Sequence, residues 1–137
     1  MTTYATFAGE FDTVAKYERL FANNTYAMKF DIWDRDNGVR TAHTKVSGEV
    51  FRLRSKPLTG AAAFTANVLL TDSSNRWSGN VQWPSAALAT ALVALPCEVY
   101  VDLVQVLTAS VDATTPSGHV ERVLLHWKAW VQVGDRT

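Results

Sequence analysis

The stretch TYAMKFDIW, residues 25–33, carries the clearest structural pattern in this chain of 137 residues. Apolar side chains occupy every second position from Tyr26 to Ile32, and smaller or charged residues stand between them. This two-residue period is typical of a strand with one buried face. The run Asp34-Arg-Asp-Asn-Gly38 follows, and its residues favour turns because they tolerate positive φ and bond to nearby backbone.

Similar alternation predicts strands along most of the chain. Residues 12–21 fit either a short helix capped by Asp12 or an edge strand from Ala15, and the strand is favoured. Between Pro84 and Pro96, leucines at helical spacing among alanines predict a short crossover helix over residues 85–95. The predicted strands are residues 15–21, 25–33, 45–54, 64–70, 77–83, 99–107 and 123–133.

These elements predict an all-β fold. About seven strands with turn signals between them and one short helix favour an Ig-like antiparallel β-sandwich, since an α/β fold would need alternating long helices. A small barrel is the main rival. We expect the sandwich to span residues 15–137.

Composition limits the classes of partner. Apolar residues make up 47% of the chain and charged residues 19%, which is typical of one globular domain. Thirteen basic residues balance thirteen acidic ones, so no net charge attracts nucleic acid or an anionic membrane. The longest apolar run, residues 86–96, is too short to cross a bilayer, and the first residues lack the features of a secretory signal. Synthesis in the cytoplasm is expected.

No set of residues in the sequence indicates catalysis, a metal site or a cofactor. The acidic run before Gly38 lacks the ligand spacing of a calcium loop. His43, His119 and His126 are scattered, and we expect them at the surface or in loops. Cys97 is the only cysteine, and it is expected to be an inert apolar residue. The sequence therefore predicts a protein that is not an enzyme and holds no cofactor.

Asp102 and the five tryptophans are the remaining strand residues whose roles the sequence can suggest. Asp102 interrupts an apolar strand, and a structural partner such as an arginine is the favoured interpretation. The phase of alternation places three of the five tryptophans in the core and puts Trp33 and Trp130 on the more polar faces. Trp33 and Trp130 are therefore the expected contact residues within the sandwich.

The order of the segments supports a family resemblance. The entry Asn23-Asn-Thr25 precedes YAMKFDIWD, and the later segments are VSGEVFRLR, SAALATALVAL and VYVDLVQV. This order resembles the Ig-like domains of bacteriophage virion proteins, and it is similar to the N-terminal domain of phage baseplate upper proteins. The family often has glycine near the entry to the strand of Tyr100, where this chain has Pro96-Cys97-Glu98.

The resemblance implies a structural or accessory protein of a phage virion. Such a protein decorates a capsid or joins a tail or baseplate, in several copies, through contacts with major capsid, tail or baseplate proteins. Residues 1–14 match no part of the pattern, and we expect them to form an arm that docks on a neighbouring subunit. Its contact residues would be Tyr4, Phe7 and Phe11.

The main alternative is a carbohydrate-binding module that uses exposed aromatic rings such as Trp33 and Trp130. A small enzyme on a β scaffold is a third possibility, for which no convergent acid, base or nucleophile is evident.

Overall fold

A computed structural model describes residues 2–8, 18–46, 48–58, 66–73, 76–90, 94–108 and 119–133. This part of the chain is mostly strand, as the sequence predicts, and its one helix is short. The elements are β1 (Thr2–Phe7), β2 (Arg19–Phe21), β3 (Thr25–Asp36), β4 (Val39–Ala42), β5 (Glu49–Pro57), β6 (Ala66–Leu69), β7 (Thr71–Ser73), β8 (Arg76–Gln82), α1 (Ser85–Thr90), β9 (Cys97–Thr108) and β10 (His119–Gln132).

The strands form two sheets. Sheet A has the order β1-β3-β8-β7, and β4 also pairs with β3. Sheet B has the order β2-β10-β9-β5-β6. The described pairings are antiparallel, except that β2 runs parallel to β10.

The hydrophobic core lies between the two sheets. Alternation along β3, β5 and β9 sends every second side chain inward, so both sheets contribute to one buried cluster. Aromatic contacts join the sheets: the ring centroids of Phe51 and Trp77 lie 4.6 Å apart, and those of Phe7 and Trp127 lie 5.0 Å apart. The core positions predicted for Trp77, Trp83 and Trp127 are confirmed, because all three are buried.

The chain passes from sheet B to sheet A at Leu70, between β6 and β7. The Leu70 amide donates to the Phe51 carbonyl at 2.8 Å, and the leucine side chain enters the core. Gly79 faces this corner, and a Cβ there would stand 2.9 Å from Leu70 Cδ2 and 3.1 Å from Val68 Cγ1. Glycine at position 79 therefore leaves room for the Leu70 and Val68 side chains, which a larger residue would push aside.

The structure corrects the predicted N-terminal arm. Residues Thr2–Phe7 form β1, which pairs with β3 of the same chain, and Ala5 and Phe7 are buried in its core. Only two inward apolar positions lie in this strand, too few to reveal a two-residue period. The boundary expected at residue 15 lies outside the described residues, as does Phe11.

Within the described ranges, three strands were not predicted from the sequence, namely β1, β4 and β7. The crossover helix begins at Ser85 as predicted, and residues 91–93 of its expected second half are outside the described residues. Asn23 Oδ1 accepts a hydrogen bond from the Ser85 amide at 2.9 Å and so satisfies one N–H at the helix start. No helix in the described ranges is long and apolar enough to cross a membrane.

Candidate functional site

An aromatic and cationic cluster lies on the outer face of sheet A, and we call it the Trp33 stack. It consists of Tyr4, Trp33, Arg35 and Arg40. The ring centroids of Tyr4 and Trp33 are 4.7 Å apart, and the ring planes are inclined by 23°. The guanidinium carbons of Arg40 and Arg35 lie 4.2 Å and 5.5 Å from the Trp33 centroid. These distances are typical of stacking and cation–π contacts.

Strand pairing on both edges of β3 assembles the stack. On one edge Tyr4 of β1 lies opposite Trp33, and on the other edge β4 runs back beside the same residues. The turn between β3 and β4 is possible because Asn37 and Gly38 adopt φ of 51° and 81°, as an Asn-Gly hairpin turn requires. Tyr4 and Arg40 therefore approach the Trp33 ring from opposite sides.

This arrangement decides what the stack offers to a partner. The Tyr4 ring and the Arg40 guanidinium both stack on the Trp33 indole, and a hollow of about 340 Å³ lined by Trp33, Arg40, Thr41 and Ala42 lies beside it. The stack presents the Tyr4 ring, which is 42% exposed, beside the arginine side chains. Tyrosine, tryptophan and arginine are the residue types that dominate binding energy at protein interfaces.

A second cluster is buried between the sheets, and we call it the inner ionic cluster. His43 Nδ1 lies 2.9 Å from Asp34 Oδ2, and His43 Nε2 lies 2.7 Å from Glu49 Oε1. Gln105 Nε2 donates to Glu49 Oε2 at 2.6 Å, and the Thr3 hydroxyl donates to Asp34 Oδ1 at 2.6 Å. The side chains of His43, Asp34 and Glu49 are 7%, 7% and 1% exposed.

The two carboxylates change the protonation of His43. Burial would lower the pKa of this histidine, but hydrogen bonds to Glu49 and Asp34 and the charges of both carboxylates outweigh that effect. The pKa of His43 is therefore raised above its ordinary value. In the protonated imidazolium both ring nitrogens donate to carboxylates, so neither can act as a general base. Because His43 contacts Asp34 of β3 and Glu49 of β5, the cluster connects these two strands.

A third cluster lies on the outer face of sheet B, and we call it the outer ionic cluster. Asp102 accepts a hydrogen bond from His126 Nδ1, and the Arg54 Nη1 to Glu121 Oε2 distance is 2.8 Å. Arg54 Nε lies 3.9 Å from Asp102 Oδ2. Asp102 therefore has an arginine partner, as predicted from the sequence. The His126 side chain is 51% exposed, in agreement with its predicted surface position.

A shallow hollow surrounds Trp130 on the same outer face. Its volume is about 230 Å³, and it is lined by Arg19, Pro96, Trp130 and Gln132. Trp130 is 48% exposed. This ring is therefore accessible to a ligand.

The predicted contact residues fall into three places. Tyr4 and Trp33 lie together in the Trp33 stack, whereas Trp130 lies on the outer face of the other sheet. Trp33 and Trp130 therefore cannot line one groove. Phe7 is not a surface contact, because it is 5% exposed and packs against Phe30 and Trp127. Phe11 lies outside the described residues.

Sequence reasoning missed Arg40, His43 and Glu49. His43 was expected at the surface, and its burial by two carboxylates corrects that prediction. A signal was present for Glu49, because it stands in phase with Phe51 and Leu53 on the inward face of β5. Asp34 is likewise in phase with Ile32 and lies inside β3 rather than in the turn.

Cys97 and the possible metal ligands are the remaining candidate groups. Cys97 is a buried free thiol, and burial raises its pKa, which disfavours the reactive thiolate. Across the residues with described positions, no three His, Cys, Asp or Glu side chains are arranged to hold a metal ion.

Comparison with known proteins adds no relative: neither a protein-family model, nor a curated protein, nor a solved structure matches this chain.

Proposed function

We propose that this chain is a non-enzymatic structural or accessory protein of a bacteriophage virion, acting through protein–protein assembly. It would decorate the capsid or join the tail or baseplate, in several copies. The observation that carries the proposal is the Trp33 stack, a cluster of interface residue types on an outer sheet face.

The strand order supports an Ig-like assignment for the domain. In sheet A the order β1-β3-β8-β7 corresponds to strands A-B-E-D of a constant-type Ig domain, and in sheet B the order β5-β9-β10 corresponds to C-F-G. The chain order of these seven strands is also that of A to G. The Ig-like domains that the sequence resembles are virion components.

The test is whether the protein is part of purified virions. We expect mass spectrometry of gradient-purified particles to find it in several copies per particle, and gold-labelled antibodies to place it on the head or tail. Its presence in infected-cell lysate but absence from purified particles would contradict the proposal.

A pair of tryptophan variants tests the role of the stack. We expect Trp33→Ala to lower incorporation into particles roughly tenfold or more, because it removes the centre of the cluster. Trp130→Ala on the opposite sheet is the matched control and should leave incorporation unchanged. Equal incorporation of both variants would contradict assembly through the Trp33 stack.

A second candidate function is carbohydrate binding at Trp130, favoured by the open hollow beside this ring. A glycan array would identify the ligand, and Trp130→Ala would abolish binding because the stacking face is lost. Binding that persists in Trp130→Ala would exclude this site.

A further inference from the structure

The outer face of sheet A carries an excess of positive charge. Along β3 every second residue from 29 to 35 lies on this face, because the residues between them are buried. Strand register adds the outward residues of β4 and β8. The charged residues that share the face are the cations Lys29, Arg35, Arg40 and Arg76 and the carboxylate Asp31. We call this surface the basic face.

Ion pairing differs between the outer faces of the two sheets. On sheet B the outer ionic cluster pairs its cations with carboxylates, and Lys128 Nζ lies 3.8 Å from Glu98 Oε1. On the basic face the described ion pair joins Arg76 Nε to Asp31 Oδ1, at 3.5 Å. The cations of the basic face outnumber this carboxylate. The face therefore attracts negative charge, although the chain as a whole is neutral.

The basic face is accessible to a partner. The Arg76 side chain is 53% exposed, and the three other cations are exposed as well. Two more exposed carboxylates, Asp36 and Asp72, lie in β3 and β7, but their phase is that of the inward side. They therefore belong to the other side of the sheet, and the outer side keeps its excess of cations.

The Trp33 stack brings two of these cations together. Arg35 of β3 lies directly opposite Arg40 of β4, and both guanidinium groups contact the Trp33 ring. Like charges that face each other across two strands repel, so a bound carboxylate would relieve this repulsion. A guanidinium that contacts an aromatic ring still offers its N–H donors to a carboxylate. The pair is therefore suited to bind an acidic side chain.

The hollow of about 340 Å³ beside the Trp33 stack gives an acidic side chain room. It lies where β8 ends and β4 begins along one edge of β3. Its lining includes Asp31, Trp33 and Arg40. Because Asp31 is paired with Arg76, Arg40 supplies the charge that an entering carboxylate meets.

We propose that the basic face binds an acidic segment of a partner protein, which lies along β3 and places carboxylates on Arg35, Arg40 and Lys29. Positions 29 and 35 are separated by about 20 Å, since each strand residue advances the chain by roughly 3.4 Å. An extended segment of about seven residues covers that distance. The proposal rests on the proposed function, because it names the chemistry of the virion partner that meets the Trp33 stack.

A protein segment suits this face better than a nucleic acid. Asp31 lies between Lys29 and Arg35 along β3, and it would repel a backbone that carries a phosphate at every step. A protein segment can place a neutral side chain at that point and carboxylates on either side of it. The balanced net charge of the chain also gives no long-range attraction to nucleic acid.

Fluorescence anisotropy with a labelled acidic peptide tests the proposal. The probe is an octapeptide in which glutamate alternates with threonine, because its carboxylates then repeat at every second residue, as the outward positions of β3 do. We expect saturable binding below millimolar peptide that weakens as salt is added. The control octapeptide, with lysine in place of glutamate, should not bind. Failure of the acidic peptide to bind, or equal binding of the control, would overturn the proposal.

Charge variants test the location of the binding site. We expect Arg35→Glu combined with Arg40→Glu to weaken peptide binding roughly tenfold or more, because attraction becomes repulsion. Arg40→Gln is the milder variant if the double variant does not fold, and it should weaken binding roughly threefold. Lys128→Glu on the outer face of sheet B is the matched control and should leave binding unchanged. Equal weakening by Lys128→Glu would overturn the assignment to the basic face.

A labelled single-stranded oligonucleotide of the same length separates the two classes of anionic partner. We expect it to bind more weakly than the acidic peptide. Tighter binding of the oligonucleotide, lost in the same arginine variants, would overturn the acidic protein segment as the partner of this face.

These results are separate from those of the virion test. A protein that is incorporated into particles but does not bind the acidic peptide overturns the inference about the basic face and leaves the proposed function intact. A protein that binds the peptide but is absent from particles supports the inference and contradicts the proposed function.

Discussion

Both ionic clusters place a histidine beside an aspartate, but the inner cluster lies between the two sheets and the outer cluster lies on the outer face of sheet B. In the inner cluster the His43 and Glu49 side chains are 7% and 1% exposed, whereas in the outer cluster the His126 and Glu121 side chains are 51% and 35% exposed. The contacts have similar lengths, but solvent screens only the outer one. We therefore expect burial, more than distance, to set what each ion pair contributes to stability.

The sharpest test of this difference is a matched pair of glutamate variants. We expect Glu49→Ala to lower the free energy of unfolding by about 3–5 kcal/mol, because three donors lose their acceptor: the Val46 amide, Gln105 Nε2 and the buried His43 imidazolium. Glu121→Ala should lower it by about 1 kcal/mol or less. Urea denaturation followed by tryptophan fluorescence measures both, and equal losses would contradict the comparison.

The second prediction concerns the pH dependence of stability that the inner ionic cluster causes. Because the pKa of His43 is raised in the folded state, its contribution to stability is complete below the unfolded pKa of about 6.5 and declines as pH rises through the folded pKa. We expect the free energy of unfolding of the wild-type protein to fall over that pH interval, as measured by urea denaturation at a series of pH values. His43→Gln is the control, since it removes the titrating group.

NMR provides the direct measurement of that titration. The imidazole signals of His43 should report a pKa above the ordinary value for histidine. A His43 pKa at or below that value, or an unchanged pH dependence in His43→Gln, would contradict the assignment.

The smallest effect is expected at the outer cluster. Asp102→Asn keeps the shape of the side chain but removes the charge that faces His126 and Arg54. We expect a loss of about 1 kcal/mol or less, and the loss should shrink as salt is added. A large loss independent of salt would show that the outer cluster behaves like a buried one.

The sequence predicted the main strands because their apolar residues follow a long two-residue period. It missed β1 and β4 because these strands are short and mostly partly or fully exposed. Their places are set by pairing with β3, which is a tertiary effect that no local pattern encodes.

The sites were predicted in the same uneven way. The outward direction of Trp33 and Trp130 was predicted because their phase in the strand opposes the buried residues, and their contact with a partner stays a prediction. The inner ionic cluster was missed because His43 reaches Asp34 only after the hairpin turns at Gly38, although the inward phase of Asp34 and Glu49 was visible in the sequence.

The parallel pairing of β2 with β10 has a consequence for synthesis on the ribosome. Arg19–Phe21 belongs to the first strand of sheet B to be translated, yet its partners are Trp130–Gln132, near the other end of the chain. Until those residues emerge, Leu20, which is fully buried in the finished domain, stays without its neighbour Val131. Long-range pairing of this kind slows folding and leaves an apolar segment for chaperones to bind. The earliest strand of sheet B is therefore the last to find its partner.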